Sequence, residues 1–390
     1  MNPVHHTRGD NPQVRDRIFR AACEVSGGLG DLGVFLPLAL ALVLSGHYPP
    51  RPLFLAAGLF YVGSALFFRL PMPVQPLKAM AAIALVAGVP YDTMRVAGLE
   101  FSLILLFFLI PGVLSFIKTI FTPPVVRGIQ LGVGLFLVQA GISLGMKNPH
   151  LFLLGGLILL LAFFARRWIP PLIPLIAGGV VVALASPSGI PASGSASLLW
   201  PGGFSLSPDA LLSAFVLLVV PQAGLTLGNA IVATEQTARD LFGERAKRAT
   251  MRNITASIAG GNFLSALLGG IPMCHGSGGM TAHYSFGART EKATVFTGVL
   301  FLFLALFLQG KPLEVLLSFP EPFLGVTLVV AGAAHGFLAR KELASFRSGA
   351  VVLTTALLSF FTHNITAGAL GGIVLSRLLP LLTPEKGGGE

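Results

Sequence analysis

Long apolar runs separated by short polar, glycine-rich or proline-rich breaks set the pattern of this chain. A membrane span needs about 20 apolar residues, and the pattern predicts fourteen segments, two of them half-length. Segments 1 and 2 fall at 28–46 and 52–69. Segment 3 is extended at 70–75 and helical from Pro76 to Gly88. Segment 4 (94–113) carries Glu100, and an amphipathic turn near 114–121 leads to segment 5 (125–146). Segment 6 (150–165) is stopped by Arg166-Arg167, and segment 7 is 171–186. After an uncharged Ser/Gly/Pro-rich connection, 187–208, segment 8 runs over 209–234 with an interruption at Pro221-Gln222-Ala223-Gly224. A basic loop is expected from Glu235 to Arg252. Segment 9 is 253–268, segment 10 is broken, and segments 11 to 14 fall near 293–309, 322–338, 349–362 and 366–382.

The broken segments carry the most information. Leu267 to Arg289 reads LLGGIPMCHGSGGMTAHYSFGAR, a run that breaks at Gly269-Gly270-Ile271-Pro272 and restarts at His275-Gly276-Ser277-Gly278-Gly279. Glycine and proline there predict a short extended stretch and then a fresh helix N-terminus, whose N–H groups no preceding turn satisfies. Such an end carries roughly half a positive charge and attracts anions. For one isolated break, a kinked helix packed through small residues is an equal alternative. A second copy shifts the balance. Leu70 to Met80 reads LPMPVQPLKAM, again extended and then helical, and in overlay Gln75 falls on His275, Pro76 on Gly276 and Met80 on Met280. Interrupted segments at matching places in two halves point to a transporter's binding site.

Composition agrees with a polytopic membrane protein. Of 390 residues, 54% are hydrophobic and 11% charged, with mean hydropathy +0.81, against about 25% charged in soluble domains. Cys23 and Cys274 are the two cysteines, too few for a disulfide framework or a cysteine-rich metal site. The +10 charge is scattered through short loops, which fits membrane orientation better than nucleic acid. With the N-terminus inside and fourteen crossings, twenty of the 26 Lys and Arg fall inside. Arg51, Arg95, Lys147 and Lys311 fall outside, and Arg69 and Lys78 lie within the membrane. Seven segments per half is odd, so the halves must be inverted. The first 20 residues are polar and basic, with no cleavable signal expected. Both termini are expected in the cytoplasm and the protein in the plasma (cell inner) membrane. No ATPase, zinc-hydrolase or nucleophile-elbow motif occurs, so no enzyme, cofactor or metal is expected.

A seven-plus-seven inverted repeat with broken third and tenth segments resembles the fold shared by nucleobase permeases and the sulfate permease (SulP/SLC26) superfamily. Within it, two motifs are similar to the pair that marks MOT1-type molybdate transporters. They are Pro71-Met72-Pro73-Val74-Gln75-Pro76-Leu77-Lys78-Ala79 and Gly270 to Gly279, the latter running on to Phe286-Gly287-Ala288-Arg289. Gly27 to Gly33 and Leu225-Thr226-Leu227-Gly228-Asn229 also fit, and the likeness spans about residues 24 to 383.

The resemblance implies an anion bound between the facing N-termini of segments 3 and 10, flanked by segments 1 and 8. On segment 10 the expected donors are the N–H groups of Gly276, Ser277 and Gly278. On segment 3, Pro76 has no N–H, so Leu77 and Lys78 are expected to supply them. Gln75 and His275 offer side-chain N–H groups, with a satisfied core position as the alternative for each. Lys78 either neutralises the anion or pairs with an acid such as Asp31. Ser277 donates its hydroxyl or is merely small. Thr226 and Asn229, on an unwound part of segment 8, complete a polar wall or pack helices. Asp31 and Glu100 are the acids within spans, for proton coupling or for structural pairing, Glu100 with Arg69 or Lys78.

The expectation is an all-α polytopic secondary carrier that moves molybdate by an elevator-type alternating-access mechanism. A tail (1–23) precedes a core built from 24–113 and 209–309. The gate is built from 114–186 and 310–383, the linker is 187–208, and 384–390 is a tail. A homodimer through the gate, a coupling proton or other ion, and surrounding lipid are the expected partners. A sulfate or broader oxyanion carrier is the main alternative. A nucleobase permease is less favoured, because Thr226, Asn229 and His275 stand where that relative places acids. An anion channel is the alternative from another class.

Overall fold

The computed structural model describes residues 12–45, 48–186, 206–307 and 311–382. Helices α1 (Pro12–Leu29) and α2 (Leu32–Leu44) meet at a 42° bend in the glycine-rich stretch around Asp31. Then come α3 (Pro50–Phe68), strand β1 (Gln75–Pro76), and α4 (Lys78–Ala87). Helix α5 (Tyr91–Phe108) turns by 88° into α6 (Val113–Ile120), and α7 (Pro123–Gly145), α8 (Pro149–Phe164) and α9 (Leu172–Ala185) complete the first half.

The second half opens with α10 (Pro208–Ala214), α11 (Val220–Leu225) and α12 (Thr234–Phe242), which are stretches of one continuous helix, Pro208–Arg248. Then follow α13 (Met251–Leu268), β2 (Met273–Cys274), α14 (Ser277–Ser285), α15 (Lys292–Phe307), α16 (Lys311–Leu317), α17 (Glu321–Gly336), α18 (Arg340–Leu343), α19 (Phe346–Phe361) and α20 (Ile365–Leu382).

Three expectations change. Segment 8 is neither interrupted at Pro221 nor unwound at Thr226. Wide π-helical turns at Phe215–Val219 and Thr226–Ala233 flank α11 and keep the helix continuous; such turns accommodate an irregularity without ending the helix. The basic loop after it is instead α12 and a 3-10 turn, Gly243–Arg248, where Glu235 pairs with Arg239 one turn on. The polar N-terminal stretch is already helical from Pro12, and Glu24 on it accepts from the N–H groups of Arg289 and Thr290. The tail at 384–390 and most of the 187–208 linker lie outside the described residues, as do residues 1–11.

Among the described residues, four helices are long and apolar enough to cross a membrane alone: Pro50–Phe68, Pro123–Gly145, Pro208–Arg248 and Glu321–Leu343; each bent pair adds a further candidate. At 16 residues, α8 and α15 reach about 24 Å, short of a hydrocarbon core of about 30 Å. Helix α8 turns Leu153, Leu157, Leu160 and Phe164 outward and buries Gly155, Leu159 and Ala162. An outer face as apolar as the inner one suits lipid, not water.

Two packing groups emerge. In one, α3 lies on α15 and α13 on α5, with Phe35, Phe54, Tyr61 and Phe301 interleaved at the centre. In the other, α7 packs on α17 and α19, α19 on α20, and α8 on α17 and α9. The α7–α17 crossing is backbone against backbone. A Cβ at Gly141 would lie 2.5 Å from Gly325 O, and one at Gly332 would lie 2.6 Å from Gly134 O. Small residues let membrane helices approach this closely.

Candidate functional site

Both broken segments are held open by side chains of neighbouring helices. Gly269 takes a left-handed conformation (φ +76°) and ends α13; glycine adopts it without steric cost. Asn262 then holds the extended stretch, accepting from Met273 N–H at 2.7 Å and donating to Met273 O at 2.8 Å. Ser265 donates to Ile271 O. From α5, Tyr91 donates to Gly269 O, and Arg95, expected outside, is buried with its Nε donating to Ala266 O. In the other half, α3 ends at Arg69 (φ +55°).

The two extended stretches meet. Strands β1 and β2 pair antiparallel, Gln75 opposite Cys274 and Pro76 opposite Met273, and Leu77 N–H closes the ladder on Pro272 O at 2.9 Å. Each strand runs directly into its helix, so antiparallel pairing sends α4 and α14 away from each other with their N-termini at the ladder. Buried Asp31 accepts from Tyr61 Oη at 2.6 Å and from Gln75 Nε2, tying the α1–α2 bend to β1. Gln75 Oε1 is buried and has no partner among the described residues. A Cβ at Gly276 would lie 2.5 Å from that oxygen, so any larger residue there would push the Gln75 carboxamide aside.

The two helix ends are dressed differently. At α14 the first turn is Ser277-Gly278-Gly279, all buried, and the first helical bond is Met280 N–H to Gly276 O. The preceding N–H groups have no partner within the helix, and no acceptor among the described residues takes them. At α4 the N–H groups of Ala79 and Met80 donate to Gln222 Oε1, at 3.0 and 3.4 Å. Gln222 is buried in α11 and donates through Nε2 to Thr226 Oγ1 at 3.0 Å. Lys78, half-buried in the first turn of α4, makes no ion pair among the described residues.

Ser277 anchors a second network. Its hydroxyl donates to Asn229 Oδ1 at 2.6 Å and lies 3.1 Å from His335 Nε2, while His335 Nδ1 lies 2.8 Å from Thr281 Oγ1. Ser277 has one hydroxyl hydrogen, and Asn229 takes it. His335 therefore donates from Nε2; its Nδ1 faces Thr281 Oγ1, whose hydroxyl also reaches Ser277 O at 3.2 Å. The chain Thr281–His335–Ser277–Asn229 links α17, α14 and the wide turns after α11.

A family model described as "Molybdate transporter of MFS superfamily" matches residues 23–137 and 214–335, the two stretches that contain both half-helices. The chain belongs to this molybdate transporter family. It is 29% identical to "Molybdate transporter 2" of Arabidopsis thaliana, covering 92% of this chain and 88% of the relative. "Molybdate transporter 1" of Chlamydomonas reinhardtii is 28% identical, with 90% of each covered. Among solved structures, the chain is similar to SLC26A9 (TM-score 0.54, 16% identity, 95% of this chain and 66% of that one). It is also similar to the transmembrane domain of the cyanobacterial bicarbonate transporter BicA (TM-score 0.53, 17% identity, 91% and 96%). The superfamily in the family model's description and the fold thus differ: the fold is of the SLC26 type. This molybdate-transporter family member is an integral, multi-pass membrane transporter.

Against that family, the expected site residues divide. Gln75, Lys78, Gly276, Ser277 and Gly278 gather at the half-helix ends, with Thr226 and Asn229 beside them on a continuous helix. Two expected donors are spent elsewhere. Leu77 N–H belongs to the strand ladder. His275 is fully buried between Phe60 and Phe68. Its Nδ1 donates to Pro73 O, and its Nε2 accepts from Ser257, so it fastens one broken segment to the other and faces away from the helix ends. Ser277's hydroxyl is likewise committed, leaving its backbone N–H. Glu100 sits on α5 with one buried oxygen unpartnered and no ion pair to Arg69 or Lys78 among the described residues. Gln222 and His335 join the candidate site beyond the expected residues. The Pro-Gln pair at 221–222 mirrors Gln75-Pro76 and is the sequence signal for the first; nothing in the sequence flags His335.

Proposed function

We propose that the protein is a secondary carrier for molybdate, which it holds at the facing N-termini of α4 and α14. The observation that carries this is the buried β1–β2 ladder, from which two helix N-termini diverge; among the described residues nothing claims the N–H groups of Ser277, Gly278 and Gly279, and Lys78 alongside has no ion pair. A tetrahedral dianion has acceptors on every side, and helix N-termini supply donors and positive potential to match. The relatives' names point to molybdate. The fold-mates' titles name anion and bicarbonate transport, in keeping with an oxyanion.

The packing supports a fourteen-crossing inverted repeat with an elevator motion. Numbering the expected segments, 2 packs on 11 and 9 on 4; 5 packs on 13 and 12 on 6; 13 packs on 14 and 6 on 7. Exchanging each segment n with n+7 maps one member of each pair onto the other. Segments 1–4 and 8–11 form a core, and segments 5–7 and 12–14 a gate past which it slides. The remainder follows the sequence reading: gate-mediated dimer, cytoplasmic termini, plasma membrane. A sulfate or broader oxyanion carrier is the second reading, favoured by the backbone nature of most donors, which discriminate poorly between dianions of one shape.

The test is ligand-induced stabilisation of the purified protein by molybdate, sulfate and uracil, followed by calorimetry. A ligand of the folded state stabilises it by RT ln(1 + [L]/Kd). A saturable shift with molybdate alone is expected. An equal shift with sulfate broadens the substrate, and a shift with uracil alone sinks the oxyanion assignment.

A further inference from the structure

The N-terminus of α4 is already occupied, and by the kind of atom a substrate would bring. Gln222 Oε1 accepts from two successive N–H groups, Ala79 and Met80, as one oxygen of a bound oxyanion would. Leu77 N–H is taken by Pro272, so with Gln222 in place α4 keeps only the N–H of Lys78 and its ammonium. The α14 end, by contrast, carries no side-chain acceptor among the described residues. We propose that Gln222 is a tethered stand-in for the anion, filling the α4 half of the site in this state and yielding to substrate as it binds.

Three features suit Gln222 to that role. Its amide nitrogen is anchored on Thr226, one turn along its own helix, so both ends of the carboxamide are satisfied without ligand. An unsatisfied helix end in a low-dielectric interior is costly, and the stand-in removes that cost from the empty carrier. Its helix is locally irregular on both sides, with π-helical turns at Phe215–Val219 and Thr226–Ala233 and Pro221 next to it; π-turns in helices gather where a functional group must be aimed. Finally, a neutral amide competes with an ion at a site of positive potential. A dianion displaces it; a neutral solute gains little by doing so. Gln222 thereby sharpens the preference for doubly charged substrates.

This inference rests on the oxyanion-carrier reading. The experiment is calorimetric binding of molybdate to the full chain carrying Gln222→Ala, Gln222→Asn or Gln222→Glu, with thermal unfolding of each as the folding control. Removing the competitor with Gln222→Ala is expected to tighten molybdate binding roughly tenfold, the scale of two neutral hydrogen bonds to a helix end. Gln222→Asn, one methylene too short to reach α4, is expected to follow it. Gln222→Glu places a charged acceptor on the same N–H groups and is expected to abolish binding at neutral pH. Unchanged or weakened binding in both the Ala and Asn variants would overturn the proposal, since Gln222 would then be a bystander or an ordinary ligand. Wild-type protein that binds neither molybdate nor sulfate would overturn the carrier reading, and this inference with it.

Discussion

Lys78 and His275 were close to equal candidates as residue types in a motif, and their surroundings separate them. His275 has both ring nitrogens engaged and aromatic rings on two sides, so its motif position serves the joint between the broken segments. Lys78 makes no ion pair among the described residues and stands at a helix end that favours anions, which leaves its ammonium available to a bound anion. Lys78→Met should therefore lower molybdate affinity at least tenfold while thermal stability holds or rises, read by calorimetry and unfolding of the same sample. Retained affinity would reduce the ammonium to a bystander. Gly279 explains another invisible constraint. A Cβ there would lie 2.2 Å from Gln75 Nε2 and 2.5 Å from Asp31 Oδ1, so this glycine exists to let the Asp31–Gln75 pair lie on α14.

Between elements, the contact that matters most is the one from α17 to α14. Helix α17 belongs to the α7 packing group, yet His335 on it reaches both Ser277 and Thr281 of the half-helix. Replacing it with phenylalanine fills the volume but removes one hydrogen bond from each hydroxyl, which keep Asn229 Oδ1 and Ser277 O as acceptors. His335→Phe should cost about 2 kcal/mol of stability and weaken molybdate binding as Ser277 turns. His335→Gln, which keeps a donor and an acceptor, should restore most of both, as checked by denaturant or thermal unfolding alongside calorimetry. Equal behaviour of the two variants would mean that packing, not hydrogen bonding, is the role of this position. Segment 8 teaches the converse lesson. Proline lacks an N–H and normally ends a helix, but at Pro221 the adjoining wide turns absorb the irregularity, and the helix continues to Arg248.

Across the whole molecule, helix α7 provides a ruler. Arg127 in its first turns pairs with Asp240, and Lys147 just past its end pairs with Glu321. Twenty-three residues span about 35 Å, so the two ion pairs stand at opposite ends of α7, which the proposed layout puts on opposite faces of the membrane. In a Cys23→Ser, Cys274→Ser background, Asp240→Cys should react with an impermeant thiol reagent only from the cytoplasmic side, and Lys147→Cys only from the outside. Labelling of both from one side would break the fourteen-segment layout.

The membrane class, the apolar runs that became helices, the two breaks and the family they mark are all legible along the chain. Those properties are local: apolar run length, glycine and proline at fixed places, and a helix restart after each. Which donors remain for a ligand depends on the folded neighbours. Leu77 lost its N–H to a strand pairing some two hundred residues away, His275 turned toward Pro73 and Ser257, and Gln222 came from another segment to cap α4. Hydrogen-bonding capacity is a property of a residue, but its availability depends on which neighbours fold against it.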